Sequence, residues 1–195
     1  MARTASRPKT EEKDQSGSAR KKRSWTGPIV GILAVVALGA LVVLDPEPPG
    51  VEFPSQGNVH LQSIDEPHAP YNSSPPSSGP HLGVLASWGV HDEPVTEELF
   101  IHNLEDGGVV VTYNCPDGCD DLQTGLEEFV LDQGRASLIT PYEQSIVDPD
   151  GNQYRAAAVA WTKVFYFDEL TDDVRSELGV FFDINMGIDH HVGTN

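Results

Sequence analysis

Positive charge is nearly missing from this chain once its first two dozen residues are passed. Of 12 Lys and Arg, eight precede Trp25; only Arg135, Arg155, Lys163 and Arg175 follow, against 27 of the 30 Asp and Glu. The first 24 residues thus carry +5 and the remainder −23, giving the net charge of −18. A surface so poor in Lys and Arg repels a phosphate backbone, which excludes nucleic acid as a partner. Cysteine is scarce too. Cys115 and Cys119, in NCPDGCDD, are the only two. They are not spaced as Cys-x-x-Cys, which argues against a dithiol oxidoreductase. An even pair around a Pro-Asp-Gly turn reads as a small disulfide in an oxidising compartment. The alternatives are a reduced pair binding a soft metal and a redox-active dithiol. There is no Gly-x-Ser-x-Gly, His-Glu-x-x-His or phosphate-binding loop, so the usual marks of hydrolytic and phosphoryl-transfer enzymes are absent. The reading leans away from an enzyme, and no internal repeat points to a solenoid.

Long apolar runs are limited to one, Thr26 to Leu44 (TGPIVGILAVVALGALVVL), uncharged until Asp45. About 18 to 20 such residues at a rise of 1.5 Å just cross a hydrocarbon core of about 30 Å. The run exceeds the 7 to 15 residues usual for the core of a signal peptide, and no small-x-small cleavage site directly follows it. It is therefore read as a retained transmembrane helix, residues 26–44. The Arg20–Arg23 cluster (RKKR) abuts its N-terminal side and acidic sequence follows. The positive-inside rule then places the N-terminus in the cytoplasm and the large domain outside, at the cell membrane. Residues 1–24 are expected to be a basic, disordered cytoplasmic tail, too polar to bury a core. Residues 45–56 (DPEPPGVEFPSQ) are a Pro-rich extended spacer, and 57–195 the extracytoplasmic domain.

Within that domain, NVHLQSI (58–64) suggests a short strand. YNSSPPSSGPH (71–81) is too rich in Ser, Pro and Gly for helix or central strand, and reads as an ordered loop over a core. The most distinctive stretch is Ile101 to Tyr113, IHNLEDGGVVVTY: a polar cluster, two glycines, then a β-branched run. Leu99–Leu104 is read as a short strand, Gly107-Gly108 as a turn and Val109–Tyr113 as a buried strand. Leu122, Leu126, Phe129 and Val130 recur at helical spacing, with Gly134 as the stop. Ala136–Thr140 reads as a strand ended by Pro141, DPDGN (148–152) as a turn, and Tyr154–Phe167 as a strand or hairpin arm. Thr171 caps a last helix with Asp172 and Asp173 in its first turn and Val174, Leu178, Phe181 and Phe182 as its apolar stripe. The chain leaves that helix through Gly187. The expected fold is α+β: a mainly antiparallel sheet with two helices, preceded by one transmembrane helix.

PPSSGPH (75–81), WGVHDEP (88–94) and IHNLEDGGVVVTY (101–113), in this order, resemble the bacterial membrane-anchored family of domain of unknown function 3105. The likeness extends weakly through the helix after Asp121 and the AVAW segment (158–161), covering most of the outer domain. The family usually has Glu-His-Gly where this chain has Glu105-Asp106-Gly107, and Tyr where it has His91. The resemblance also raises a metal: some members, associated with copper-dependent oxidation, are linked to extracytoplasmic copper binding.

Three functional readings follow. The first is a metal-binding or metal-delivery domain, with copper as its ion. Its candidate ligands are His81, His91, His102 and Met186, with Glu105, Asp106, His190 and His191 as secondary candidates. Imidazole suits Cu, Zn and Ni, while a thioether selects Cu(I). His81 and His102 could instead hydrogen-bond loop backbones and fix their shape, and His190-His191 could bind metal adventitiously near the chain end. The second reading is a non-catalytic envelope binding or structural module with a disulfide-fixed loop. The third is a hydrolytic enzyme using Glu105 and Asp106 beside His102 as acid, base and orienter. Trp88, Trp161, Phe165 and Tyr166 are read as core aromatics.

Overall fold

The computed structural model describes residues 47–134 and 136–191. The expected basic tail and transmembrane helix lie outside the described residues. Among those described, no helix is long and apolar enough to cross a membrane.

The elements run β1 (Val51–Glu52), β2 (His60–Leu61), β3 (His81–Leu82), β4 (Gly89–Val90), α1 (Glu97–Glu105), β5 (Val109–Tyr113), α2 (Asp120–Gln133), β6 (Ser137–Pro141), β7 (Ile146–Val147), β8 (Gln153–Tyr154), β9 (Ala156–Ala160), β10 (Lys163–Phe167) and α3 (Asp172–Asn185). Six strands make the main sheet, ordered β1-β10-β9-β5-β6-β4. The fold is α+β with three helices, one more than the sequence reading allowed. Its sheet is mixed: β10–β9, β9–β5 and β1–β10 are antiparallel, whereas β5–β6 and β4–β6 are parallel. The parallel pair has a simple cause. β5 and β6 are joined through α2, and a crossover helix returns the chain in the direction it left.

Both faces of the sheet are covered, which explains why its central strands are apolar throughout rather than alternating. Val109, Val111 and Tyr113 of β5, with Ala156, Ala158 and Ala160 of β9, pack under Leu126, Phe129, Leu178, Phe181 and Phe182 of α2 and α3. Val110, Ala157 and Val159 face the other way, against Phe100, Ile101 and Leu104 of α1 and against Trp161. Each fully buried Leu or Phe among these contributes on the order of 1.5 to 3 kcal/mol.

Several elements match the pattern reading. α2 buries Leu122, Leu126, Phe129 and Val130 and ends at a left-handed Gly134. Thr171 Oγ1 accepts a hydrogen bond from the Val174 N–H at the start of α3. The 154–167 stretch is a hairpin of β9 and β10, turning at Thr162, whose φ is +63°.

Other expectations are corrected. Leu99–Leu104 is not a strand; it lies inside α1, whose Thr96 N-cap is followed by Glu97 and Glu98. The helical period was hidden because His102, Asn103 and Glu105 are buried along with Phe100, Ile101 and Leu104. Val51–Glu52, read as spacer, pairs with β10 as the sheet's edge. Trp88 is 37% exposed, with its ring over Gly108.

Candidate metal centre

The site lies on the α1 side of the sheet, where the Ser/Pro/Gly loop delivers β3. Pro75 to Gly79 are buried. The loop is held by Ser side chains acting as backbone partners: Ser73 Oγ accepts from Ser77 N (3.0 Å) and Ser78 Oγ from Gln56 N (3.1 Å). The chain emerges into β3, whose parallel register with β2 sets His60 beside His81. Their rings are 5.0 Å apart, edge to face. At the position of Gly83, a Cβ would lie 3.2 Å from His60 Nδ1, so glycine leaves that ring its space.

α1 supplies the other half. His102 and Glu105, three residues apart, share one helical face. That face is turned inward, with Glu105 1% exposed and His81 wholly buried. Asn103 holds the adjoining loop by donating from Nδ2 to Ala86 O and accepting from Ala86 N, both at 2.9 Å.

Glu105 Oε2 is the hub. It lies 2.9 Å from His81 Nε2, 3.3 Å from His60 Nε2, 3.6 Å from His102 Nδ1 and 3.6 Å from His191 Nε2. Asn58 Nδ2 donates to Oε1 at 2.6 Å, and His102 Nδ1 is 3.1 Å from His81 Nε2. Burial pushes the Glu105 carboxyl upward, but the Asn58 and His60 hydrogen bonds and the nearby imidazoles of His81 and His191 outweigh it. The group therefore sits below the usual carboxylate range. Burial holds His102 below the ordinary imidazole value despite the Asp106 carboxylate, which favours the neutral, lone-pair form that a metal needs.

The hydrogen positions at His81 are constrained. Nδ1 is 2.8 Å from Gly79 O, which only accepts, so Nδ1 carries a hydrogen. In the neutral ring Nε2 is then a lone pair facing a carboxylate oxygen at 2.9 Å. Two acceptors at that distance require a cation between them, either a proton or a metal ion.

Ligand atoms of His60, His81, His102 and Glu105 all lie within 4.8 Å of one another. With metal–ligand bonds of about 2.0 to 2.2 Å, neighbouring ligand atoms should stand roughly 2.8 to 3.6 Å apart, from right-angle to tetrahedral geometry. The separations of 2.9, 3.1, 3.3 and 3.6 Å match that range. Three imidazoles and one carboxylate suit Zn, Cu(II), Ni or Fe.

The sequence candidates divide. The structure brings His81, His102 and Glu105 together. His91 is elsewhere: its Nε2 donates to Ser87 O at 2.7 Å and its backbone N–H to Ile139 O. Met186 ends α3 and packs into the core on the opposite face of the sheet, so no thioether joins the imidazoles. Asp106 and His191 form a second set with His102. His190 stacks on Trp161 (5.7 Å, 19°) rather than pointing to the hub; burial there lowers its basicity. His60 is not among the sequence candidates, yet its Nε2 lies 3.3 Å from Glu105 Oε2. The one signal available was the His-Leu dipeptide recurring in 60–61 and 81–82, which are the two paired strands. Cys115 and Cys119 are bonded, with S–S at 2.04 Å, immediately before α2.

An α+β domain with a buried His/Glu centre is the class these observations define. The family described as "Protein of unknown function (DUF3105)" matches residues 64–178, and the chain belongs to it. That span includes His81, His102 and Glu105, whereas His60 and His191 flank it. Comparison with curated proteins gave no match. Comparison with solved structures also gave none.

Proposed function

We propose that this protein is a single-pass membrane-anchored, extracytoplasmic domain that binds a divalent transition-metal ion through His60, His81, His102 and Glu105, for holding or delivery rather than hydrolysis. The observation that carries the reading is the buried pair of His81 Nε2 and Glu105 Oε2 at 2.9 Å, with His81 Nδ1 already committed to Gly79 O. Copper(II) is the preferred ion, because N/O sites favour it over the other first-row divalent ions. Without a thioether, selection of Cu(I) has no support here. The apolar run 26–44 behind a basic cluster supports anchoring, and the Cys115–Cys119 bond suits an oxidising compartment.

A second reading, a non-catalytic structural module, is favoured by the Asn58 and Gly79 hydrogen bonds that also steady this cluster. The two separate on one measurement. The full chain, purified without an affinity His-tag and dialysed against Cu(II) or Zn(II), should hold a saturable ion that His81→Ala weakens at least roughly tenfold. No saturable binding by wild type leaves only the structural module. For topology, alkaline phosphatase fused after Asn195 should be active, as it is only outside the cytoplasm.

A further inference from the structure

The inner cluster is not the only place where ligand atoms converge. Beyond Gly187 the chain returns across the end of α1. Gly187 N donates to Gly107 O (2.7 Å) and His190 N to Glu105 O (2.8 Å), fixing residues 187–191 over the hub. The approach is close: a Cβ on Gly107 would fall 2.6 Å from Ile188 O. The His190 ring anchors this segment by stacking on Trp161.

His191 is thereby set at the mouth of the centre. Asp189 Oδ1 accepts from both the backbone N–H (2.9 Å) and Nδ1 (2.7 Å) of His191. Nδ1 therefore carries the hydrogen, and in the neutral ring the lone pair is on Nε2. That nitrogen is 3.6 Å from Asp106 Oδ1 and 3.6 Å from Glu105 Oε2. A carboxylate that holds one imidazole nitrogen so that the other faces a metal is a common orienting device of metal sites. His81 is oriented likewise, by Gly79 O.

We propose a second, outer cation position formed by His102, Asp106 and His191, sharing His102 with the inner site and assembled by the 187–191 segment. With both positions filled, His102 would serve as an imidazolate, one ring nitrogen to each ion, its ring proton released to solvent. It rests on the metal reading of the inner cluster. Ligand atoms of these three residues lie within 4.8 Å of one another, and the two sets have only His102 in common. The outer set offers two imidazoles and one carboxylate, so it is the weaker position and leaves coordination places for water. It is also the more open one, since His191 is 43% exposed whereas His81 is closed to solvent. An ion arriving from outside meets His191 and Asp106 first, and His102 is the ligand through which it can pass inward. Asp189 is a positioning residue, with no contact to the ion.

The test is the stoichiometry and affinity of Zn(II) on the full chain without an affinity tag, by equilibrium dialysis with elemental analysis. Wild type should bind two ions, one more weakly. His191→Ala should bind one with unchanged inner affinity, and Asp189→Ala should weaken only the outer ion, by roughly 10- to 100-fold. His102→Ala should weaken both, and His91→Ala neither. One ion in wild type, or two ions with unchanged affinities in His191→Ala, overturns the outer position while leaving the inner reading standing. No ion in wild type overturns both.

Discussion

His81 and Glu105 meet at 2.9 Å with both side chains closed to solvent, one offered by a strand and the other by a helix. With His81 Nδ1 donating to Gly79 O, whatever binds between them must be positively charged. In the metal-free protein that cation is a proton. Metal loading should therefore release about one proton per inner ion, because ligating imidazole must be deprotonated. Calorimetric titration in buffers of different ionisation enthalpy measures this directly. Metal uptake with no proton released contradicts the geometry argued for His81.

Asn103 closes a loop onto α1 with two hydrogen bonds to the backbone of Ala86, both buried. Asn103→Ala should leave the Ala86 N–H and C=O without partners, at a cost of about 1 to 3 kcal/mol for each group left unsatisfied. Urea unfolding should show the loss at unchanged m-value. A loss well under 1 kcal/mol means water replaces the amide there.

Gly107 has φ +79° and nearly touches the backbone of Ile188. Gly107→Ala should cost roughly 1 to 2 kcal/mol for the left-handed backbone alone, and must push the 187–191 segment off α1. Amide exchange at His190 should accelerate, and the weaker of the two metal affinities should fall while the stronger stays. Unchanged exchange at His190 shows that the segment moves with Gly107 rather than away from it.

Glu97 accepts hydrogen bonds from Tyr142 Oη and Gln144 Nε2, and burial, the largest influence, raises its carboxyl above the usual value of 4.5. The sign follows from linkage. Below the unfolded value both states are protonated; above it the unfolded chain releases its proton while the folded one retains it. Stability thus falls as pH rises through the interval up to the raised folded value. Glu97→Gln keeps an acceptor for Tyr142 and removes that loss. It should equal wild type at pH 3 and exceed it at pH 7 in urea midpoint. A variant less stable at both pH values refutes the assignment.

How much was legible in the chain depended on which surfaces each residue meets. α2 and α3 could be read because each has one apolar stripe facing the sheet and one wet face, so Leu122, Leu126, Phe129 and Leu178, Phe181, Phe182 stand at helical spacing. α1 could not. Its polar residues are buried against the Ser/Pro/Gly loop and β3, and IHNLED loses the contrast that marks a helix. The parallel pairing of β5 and β6 follows from the helix between them, a connection the expectation of a mainly antiparallel sheet did not use. His81, His102 and Glu105 stood out for their chemistry. His91 and Met186 stood out equally and belong elsewhere.

Charge segregation, the apolar run, the two-helix-and-strand frame after Gly108 and the residue types able to bind metal are all legible in the chain. Local chemistry suffices for these, since charge, hydropathy and periodicity are read within a window of the chain. Which histidines meet is set by packing. The β2–β3 register sets His60 beside His81, α1 brings Glu105 from 24 residues beyond His81, and the returning 187–191 segment adds His191. Those are contacts between distant parts of the chain, fixed by packing on one face of the sheet, and no local pattern encodes them.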